Sequence, residues 1–384
     1  MTMKRFTQFS TLTLITLLIS TLAQATVFDT VNGLKYSIDT LKNEASLVEN
    51  SLGGYSGDIV VPEKITSGGK EYAVTSFGES CFLFCSKLTS ITIPSSVKFL
   101  GNKCFYYCYG LTSIDIPSSV TSLGYSCFYF CKNLRSINIP SSVTSLGNNC
   151  FGDCSMLTSV NIPSSVTSLG NDCFDNCSRL TSIDIPSSVT DIGEYCFANC
   201  YELTSITIPE SVTILKNGCF FECSKLASIT IPYSVTSLGS YCFSYCSNIT
   251  SIICYATTPP ECNQKVFEGC DKFLCNLYVP QESIDKYNVA DVWETFPYIY
   301  AIGESGESDQ INSTSTSGIV ASCSNGVITI SGLNAQENVT FYSLSGKQLG
   351  TAKAVDGTAT YTVDGTGDIV IAKFGGSSIK IARK

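Results

Sequence analysis

Hydrophobic positions recur with a fixed period through the middle of the chain. The unit Leu-x-x-Ile-x-Ile-Pro-x-Ser-Val-x-x-Leu-Gly-x-x-Cys-Phe-x-x-Cys returns every 23 residues, without insertion. Its Cys-Phe-x-x-Cys motif begins at eight cysteines: Cys81, Cys104, Cys127, Cys150, Cys173, Cys196, Cys219 and Cys242. A period of this length indicates a solenoid, because one such unit cannot bury its apolar face alone, whereas stacked units share a continuous core.

Each unit predicts its own short elements. The Leu-x-x-Ile-x-Ile segment predicts a strand, ended by a proline that cannot donate to a β-ladder. The Val-x-x-Leu-Gly segment is expected to turn the chain. Cys-Phe-x-x-Cys is expected to form a short helical or 3₁₀ turn whose phenylalanine points inward. Parallel strands about 4.8 Å apart would make eight coils roughly 40 Å long.

The segments on either side of the repeats are predicted to cap them. Alternating polar and apolar residues around Asp39 predict a β-hairpin, and the stretch from Asp58 to Pro62 predicts a degenerate first strand. A helix containing Trp293 is predicted from Ser283 to Phe296. The predicted boundaries are an N-terminal hairpin cap and first coil at 26–80, 23-residue repeats at 81–280, and a C-terminal helical cap at 281–303.

Composition changes sharply after the cap. Residues 304–318 are rich in Ser, Thr, Gly and Glu and predict a flexible linker. Short apolar runs separated by glycine-containing turns then predict a small all-β sandwich at 319–384. The tail contains Val339–Gly346 and closes on Ile379-Lys380-Ile381-Ala382-Arg383-Lys384. In these segments it is similar to the C-terminal sorting domains of type IX secretion in Bacteroidetes, although Gly367-Asp368-Ile369 departs from their pattern. A generic β-module without a sorting role is the alternative.

The N-terminus has the pattern of a secretory signal peptide. Lys4 and Arg5 precede an apolar run from Leu12 to Leu22, and Ala23-Gln24-Ala25 follows. We therefore expect residues 1–25 to be removed after Ala25 and the protein to be exported, either secreted or held at the cell surface. No other apolar run reaches the roughly 18 residues of a membrane-spanning helix, so no transmembrane segment is predicted.

The composition argues against most catalytic chemistry. The 384 residues include no histidine, which removes the Ser-His-Asp and Cys-His pairs and His-ligated zinc. The acidic group Asp172, Asp175, Asp191 and Glu194 lacks a predicted cleft, so we expect no enzyme and no cofactor. The formal net charge of −9 argues against nucleic acid and anionic lipid as partners.

Most of the 21 cysteines belong to the repeat. Sixteen form two columns along the stack, and Cys270 continues the second column in a decayed ninth coil. We interpret them as small buried hydrophobic residues. A disulfide ladder remains open in an exported protein, and a metal site is the weakest alternative. Disulfides would first be expected among the four cysteines outside the motif: Cys254, Cys262, Cys275 and Cys323.

Two sets of residues are candidates for partner binding. A polar column should face solvent from the predicted strands: Thr92, Asp115, Asn138, Asn161, Asp184 and Thr207. Aromatic side chains crowd the predicted turns of the second and third repeats: Tyr106, Tyr107, Tyr109 and Tyr129. Exposed aromatics favour an interface. The alternatives are a solubilising polar ladder and tyrosines partly buried between coils.

The repeat resembles the BspA-like, Treponema pallidum-type leucine-rich repeat over about residues 56–300. That family more often has alanine at the first cysteine of each pair. The resemblance implies a leucine-rich-repeat solenoid on a bacterial or protist surface protein. For the best-known bacterial members it also implies an adhesin that engages extracellular-matrix proteins such as fibronectin or fibrinogen. A glycan-binding module and a structural surface protein are the alternatives.

Overall fold

The computed structural model describes residues 26–49, 54–303, 319–324, 327–343, 348–362, 369–374 and 377–382. The predicted signal peptide and the predicted linker at 304–318 lie outside the described residues. The chain divides into two compact units. Within the described residues, the first contains 26–277 and Asp285–Tyr298, and the second contains Tyr278–Ile284 and 299–382.

The first unit begins with the predicted hairpin. Strands Thr26–Val31, Leu34–Asp39 and Glu44–Leu47 form an antiparallel meander. Glu44–Leu47 then pairs in parallel with Lys70–Phe77, which joins the meander to the solenoid. A second hairpin pairs Lys64–Ser67 with Lys70–Phe77 through Gly68 and Gly69, whose positive φ of 55° and 76° suits glycine.

One side of the solenoid is the predicted parallel sheet. Gly57–Val60 pairs with Leu88–Thr92, and the Leu-x-x-Ile-x-Ile segments of later repeats pair in register through strands or isolated bridges. The isoleucines are buried and the residues between them are mostly exposed. The remaining strands on this side are Ser136–Asn138, Ser159–Asn161, Ser228–Ile231 and Ser251–Cys254.

The Val-x-x-Leu-Gly segments form a second strand column instead of only turning the chain. In each segment one residue points outward and the next, a Leu or Ile, is buried. Successive side chains of a strand point to opposite faces in this way. The strands pair in parallel in two groups, one from Phe99–Leu100 to Asp191–Ile192 and one of Ile214–Leu215 with Ser237–Leu238. They are Phe99–Leu100, Ser122–Leu123, Ser145–Leu146, Ser168–Leu169, Asp191–Ile192, Ile214–Leu215 and Ser237–Leu238.

The Cys-Phe-x-x-Cys segments form the third side, which we call the turn side. Each is a pair of hydrogen-bonded turns, not a regular helix, because residues such as Asp153 and Asn176 have φ of 58° and 54°. The backbone N–H groups of alternate residues donate to carbonyls of the next coil, for example Phe151 to Cys173 at 2.9 Å. Backbone polar groups on this side are therefore satisfied between coils.

A column of phenylalanines fills the core. Adjacent rings stack nearly parallel from Phe82 to Phe267, with centroids between 5.1 and 5.7 Å apart. The repeat thus places each predicted inward phenylalanine on its counterpart. A column of glycines also lets neighbouring coils approach closely. A Cβ built on Gly193 would lie 2.3 Å from the carbonyl carbon of Gly170, so a larger residue would not fit there.

The predicted continuous helix from Ser283 to Phe296 is wrong. The segment contains a 3₁₀ turn at Gln281–Ser283, an α-helix of one turn at Ile284–Tyr287 and another 3₁₀ turn at Trp293–Thr295. Val292 has a φ of 71°, which no continuous helix accommodates. Trp293 still closes the core of the first unit: it is buried and its indole N–H donates to the Pro260 carbonyl at 2.9 Å.

The second unit contains the predicted antiparallel β region. One sheet has the order Val320–Ser324, Val327–Ser331 and Thr358–Thr362. Buried apolar side chains from this sheet and from a second sheet, including Ile328, Phe341 and Val370, form the core of this region. The other sheet has the order Gln348–Lys353, Asn338–Ser343, Ile369–Phe374 and Ser377–Ala382. Strands Asn276–Val279 and Ile299–Ala301 precede this region.

Candidate binding surface

The polar column lies on the outer face of the parallel sheet. Neighbouring coils place its members opposite one another, as in the pairings Asp115 with Asn138 and Asn161 with Asp184. All six are exposed: Thr92, Asp115, Asn138, Asn161, Asp184 and Thr207. The structure therefore brings these residues into one row, separate from the hydrogen-bonded ladder of the turn side.

The four tyrosines come together on the turn side of the second and third coils. Tyr106 lies 4.7 Å from Tyr107 and 5.2 Å from Tyr129 between ring centroids, and Tyr107 lies 5.5 Å from Tyr109. Phe130 stacks on Tyr107 at 4.4 Å with an interplanar angle of 6°, and Phe84 lies 5.1 Å from Tyr107. We call these six rings, with Lys103 and Lys132, the aromatic–lysine cluster.

Two lysines lie over these rings. The Lys132 ammonium is 4.6 Å from the centroid of Phe130 and 5.9 Å from that of Tyr109. The Lys103 ammonium is 5.9 Å from Tyr106 and 5.7 Å from Tyr125. Each contact lies within the range of a cation–π interaction. The cluster therefore combines an aromatic surface with two positive charges.

A carboxylate borders the cluster on the next coil. Burial, the charge of Asp153 and a hydrogen bond with that side chain raise the pKa of Tyr129. The Tyr129 ring also lies over Gly152, where an added Cβ would come within 2.9 Å of it. Tyr129 therefore packs against the next coil and also exposes part of its ring. The repeat pattern did not distinguish these two roles.

A second group of rings occupies the turn side of the later coils. Phe221 lies 6.4 Å from Tyr195, 6.4 Å from Tyr241 and 5.6 Å from Tyr245. The Lys265 ammonium is 4.9 Å from the centroid of Tyr241 and donates to its hydroxyl at 2.6 Å. We call these four rings with Lys265 the distal aromatic cluster. The sequence singled out neither Tyr195 nor Phe221 as part of a site, because each is the sole aromatic at its position among neighbouring repeats.

Acidic side chains occupy the turn side between these clusters. They are half-buried: Asp153, Asp172, Asp175, Glu194 and Glu222. Asparagine amides of the next coil hold three of them, with Asn176 donating to Asp153 at 2.7 Å, Asn199 to Asp175 at 2.8 Å and Asn217 to Glu194 at 2.9 Å. We call these five carboxylates the acidic band.

The carboxylates of the band affect one another. Burial raises the pKa of Asp175 to about 6, with a smaller contribution from the charges of Asp172 and Asp153. Burial and the charge of Glu194 raise the pKa of Asp172. Both shifts indicate negative charge that is incompletely compensated. Asp191, grouped with these residues in the sequence, instead lies on the second strand column and pairs with Lys216 at 2.6 Å.

The cysteines are free thiols wherever the structure describes their side chains. From the second motif onward, the second cysteine donates to the phenylalanine carbonyl of the preceding coil, as from Cys154 to Phe128 at 3.2 Å and Cys177 to Phe151 at 3.3 Å. Burial raises the pKa of these thiols. Cys254, Cys262 and Cys275 are also free, and the Cys323 side chain lies outside the described residues.

Neither a metal centre nor a membrane span emerges from the described residues. Their Cys, Asp and Glu side chains nowhere converge in threes as ligands for a metal ion. Among the helices in the described ranges, none reaches the length and hydropathy that crossing a membrane requires.

Comparison with known proteins identifies the repeat. The profile of the BspA type leucine-rich repeat region, in six copies, matches residues 64–181 and 167–288. A leucine-rich cell surface protein from Faecalibacterium prausnitzii is 21% identical over 73% of this chain and 96% of its own, with a TM-score of 0.44.

Two further solved structures are similar. A leucine-rich repeat protein from Bacteroides ovatus is 22% identical over 67% of this chain and 80% of its own, with a TM-score of 0.42. The T. pallidum leucine-rich repeat protein is 23% identical over 58% of this chain and 91% of its own, with a TM-score of 0.38. No curated protein matches the chain significantly.

Proposed function

Because the chain belongs to the BspA type leucine-rich repeat family, we propose that it is an exported binding protein of the cell surface or the extracellular medium. We propose further that it is an adhesin for host extracellular-matrix or cell-surface proteins such as fibronectin or fibrinogen. The aromatic–lysine cluster is the proposed contact surface. Removal of residues 1–25 after Ala25 belongs to this proposal, and an N-terminus at Thr26 in the secreted protein would support it.

The aromatic–lysine cluster is the observation that carries the proposal. Its rings contact one another at centroid distances of 4.4 to 6.4 Å, while Phe84 remains 41% exposed. Side chains already fixed in this way lose little conformational entropy on binding. Tyrosine is also enriched among the residues that dominate binding energy at protein interfaces. These properties favour a protein partner at the turn side.

The polar column is the competing surface. Its short side chains offer hydrogen bonds but little apolar area, and water competes for each of them. A solubilising role accounts for the column without a partner. The two surfaces belong to different sides of each coil, so substitutions can test them independently.

The test is a binding panel with the full mature chain against immobilised fibronectin, fibrinogen, laminin and a set of glycans. We expect binding to at least one matrix protein. Substituting Tyr106, Tyr107 and Tyr109 together by alanine should weaken it at least tenfold, because the anchoring rings are lost. The matched control replaces Asn138, Asn161 and Asp184 by alanine and should bind like the wild type.

Other outcomes point to other functions. Binding to glycans with silence against every matrix protein would contradict the adhesin proposal and favour a glycan-binding module. Self-association without any bound partner would favour a structural surface role. Loss of matrix binding in the control variant, but not in the tyrosine variant, would move the site to the polar column.

A further inference from the structure

We propose that the turn side binds an extended, positively charged polypeptide segment with an apolar anchor at each end. The two aromatic clusters would take the anchors, and the acidic band would face the charged residues between them. This inference rests on the proposed protein-binding function and specifies the chemistry of the partner. It uses the distal aromatic cluster, which the adhesin proposal does not require.

The two clusters share two positions of the repeat. Tyr107 and Tyr245 are six 23-residue periods apart, and Tyr106 and Phe221 are five periods apart. They therefore lie on one ladder of turns, whose coils are joined by backbone hydrogen bonds from Ser80 to Glu268. One continuous side of the first unit carries both clusters.

The separation of the clusters suits a short extended segment. Tyr195, the first ring of the distal aromatic cluster, lies three coil steps from Phe130, the last ring of the first cluster. Phe221, which contacts the other three rings of the distal cluster, lies four coil steps from Phe130. At the spacing of neighbouring strands this is about 20 Å. An extended chain advances about 3.3 Å per residue, so about six residues would join the two anchors.

The charge of the acidic band determines which charge the bound segment should carry. Within the described part of the chain, the five carboxylates of the acidic band have no salt-bridge partner. The two lysines of coils seven and eight pair instead with acids outside the band: Lys216 with Asp191 and Lys225 with Glu202, each at 2.6 Å. Half-buried carboxylates that repel one another would be stabilised by a cationic partner.

The ends of the surface need different chemistry from its middle. Lys103, Lys132 and Lys265 are already placed over aromatic rings, so each end presents apolar faces and a satisfied positive charge. Basic residues of a partner would be repelled there, whereas large apolar side chains would pack. The surface therefore favours basic residues only between the anchors.

The test measures fluorescence polarisation of a labelled peptide with the full mature chain. The peptide has two tryptophans six residues apart with three arginines between them. The first control peptide replaces the arginines by glutamates, and the second replaces the tryptophans by glycine. We expect binding of the first peptide only, weakening at least tenfold between 50 and 300 mM salt because the contact is charge-driven.

Matched variants locate the peptide. Replacing Asp153, Asp175 and Glu222 by Asn, Asn and Gln keeps the hydrogen-bond acceptors but removes three charges, and should weaken binding at least tenfold. The control replaces Asp191 and Glu202 by Asn and Gln, which removes carboxylates already paired with lysines, and should change affinity less than twofold. A cooperative thermal unfolding transition in each variant, no lower in temperature than needed to keep it folded at the assay temperature, confirms that both fold.

Equal binding of the glutamate peptide, or full affinity in the variant of the acidic band, would overturn the inference. Failure of the arginine peptide while a matrix protein binds at the aromatic–lysine cluster would overturn it and leave the proposed function standing. Binding of the peptide with no matrix protein captured would support the inference and contradict the choice of matrix proteins as partners.

Discussion

At the scale of single residues, the second cysteine of each motif does more than fill space. Its thiol donates to a phenylalanine carbonyl of the preceding coil, repeatedly from Cys108 to Cys270. A buried carbonyl that loses its donor costs free energy of folding. The packing interpretation of the cysteines accounts for their burial but not for this hydrogen bond, which only the stacking of coils creates.

Substitutions at Cys177 separate these contributions. Cys177→Ala removes volume and the donor, and should lower the free energy of unfolding by about 1–3 kcal/mol. Cys177→Ser keeps a donor at nearly the same place and should lower it less. Chemical denaturation of both variants measures the difference. Equal losses would mean that the hydrogen bond from Cys177 to Phe151 contributes nothing to stability.

Asp175 makes stability depend on pH in an unusual direction for a carboxylate. Its pKa is raised to about 6 in the folded chain, so the native state binds a proton that the unfolded state has lost. Stability should therefore fall as pH rises from about 4 to about 6, and stay lower above that window. Asp175→Asn removes this dependence and keeps an oxygen that can accept from Asn199.

The measurement is the free energy of unfolding of both proteins between pH 4 and 8. Above pH 6 the Asn variant should be more stable by about 1–2 kcal/mol, a value reduced for partial exposure to solvent. The two proteins should converge towards pH 4. A wild type that is more stable than the variant at pH 7 would contradict the assigned direction of the shift.

At the scale of elements, the strand–proline segments and the inward phenylalanines follow directly from the repeat. The second strand column does not, because two residues such as Ser168–Leu169 are too few to show a period in the sequence. Its formation depends on parallel pairing with neighbouring coils. The serine of Pro-x-Ser-Val also depends on a neighbouring coil, because Ser165 donates to the Val143 carbonyl of the preceding coil at 2.6 Å.

Removing one whole coil tests this dependence on register. Deletion of residues 144–166 removes 23 positions and joins Val143 to Thr167, so all columns remain aligned. We expect a folded protein with one cooperative unfolding transition. Its free energy of unfolding should be slightly lower, because each repeat contributes its own stability and that of its interfaces with neighbouring repeats. Deletion of residues 144–155 shifts the columns and should abolish cooperative unfolding. Similar behaviour of both deletions would contradict stacking in register.

At the scale of the whole molecule, the candidate surface was only partly predictable. The repeat placed Tyr106, Tyr107, Tyr109 and Tyr129 on the predicted turns of the second and third repeats, but it did not show their contacts with one another. It also gave no sign that Tyr245 lies over Gly269, where an added Cβ would be 2.5 Å from its ring. Variable positions acquire their surroundings from neighbouring coils, so a single repeat does not contain that information.

The surface as a whole differs from end to end. From Glu79 to Asn149 five basic residues accompany two acidic ones, whereas three basic residues accompany nine acidic ones from Cys150 to Lys225. The turn side follows this division, with the lysines of the aromatic–lysine cluster before the acidic band. Such a gradient can orient a charged partner during association.

Hydroxyl-radical footprinting of the mature chain, alone and with the matrix protein captured in the panel, tests the proposed surface most directly. Oxidation of Tyr106, Tyr107 and Tyr109 should fall at least threefold in the complex. Tyr233, which is 62% exposed and outside both aromatic clusters, should react equally in both states. Protection of Tyr233 with unchanged oxidation of the three cluster tyrosines would contradict binding at the aromatic–lysine cluster.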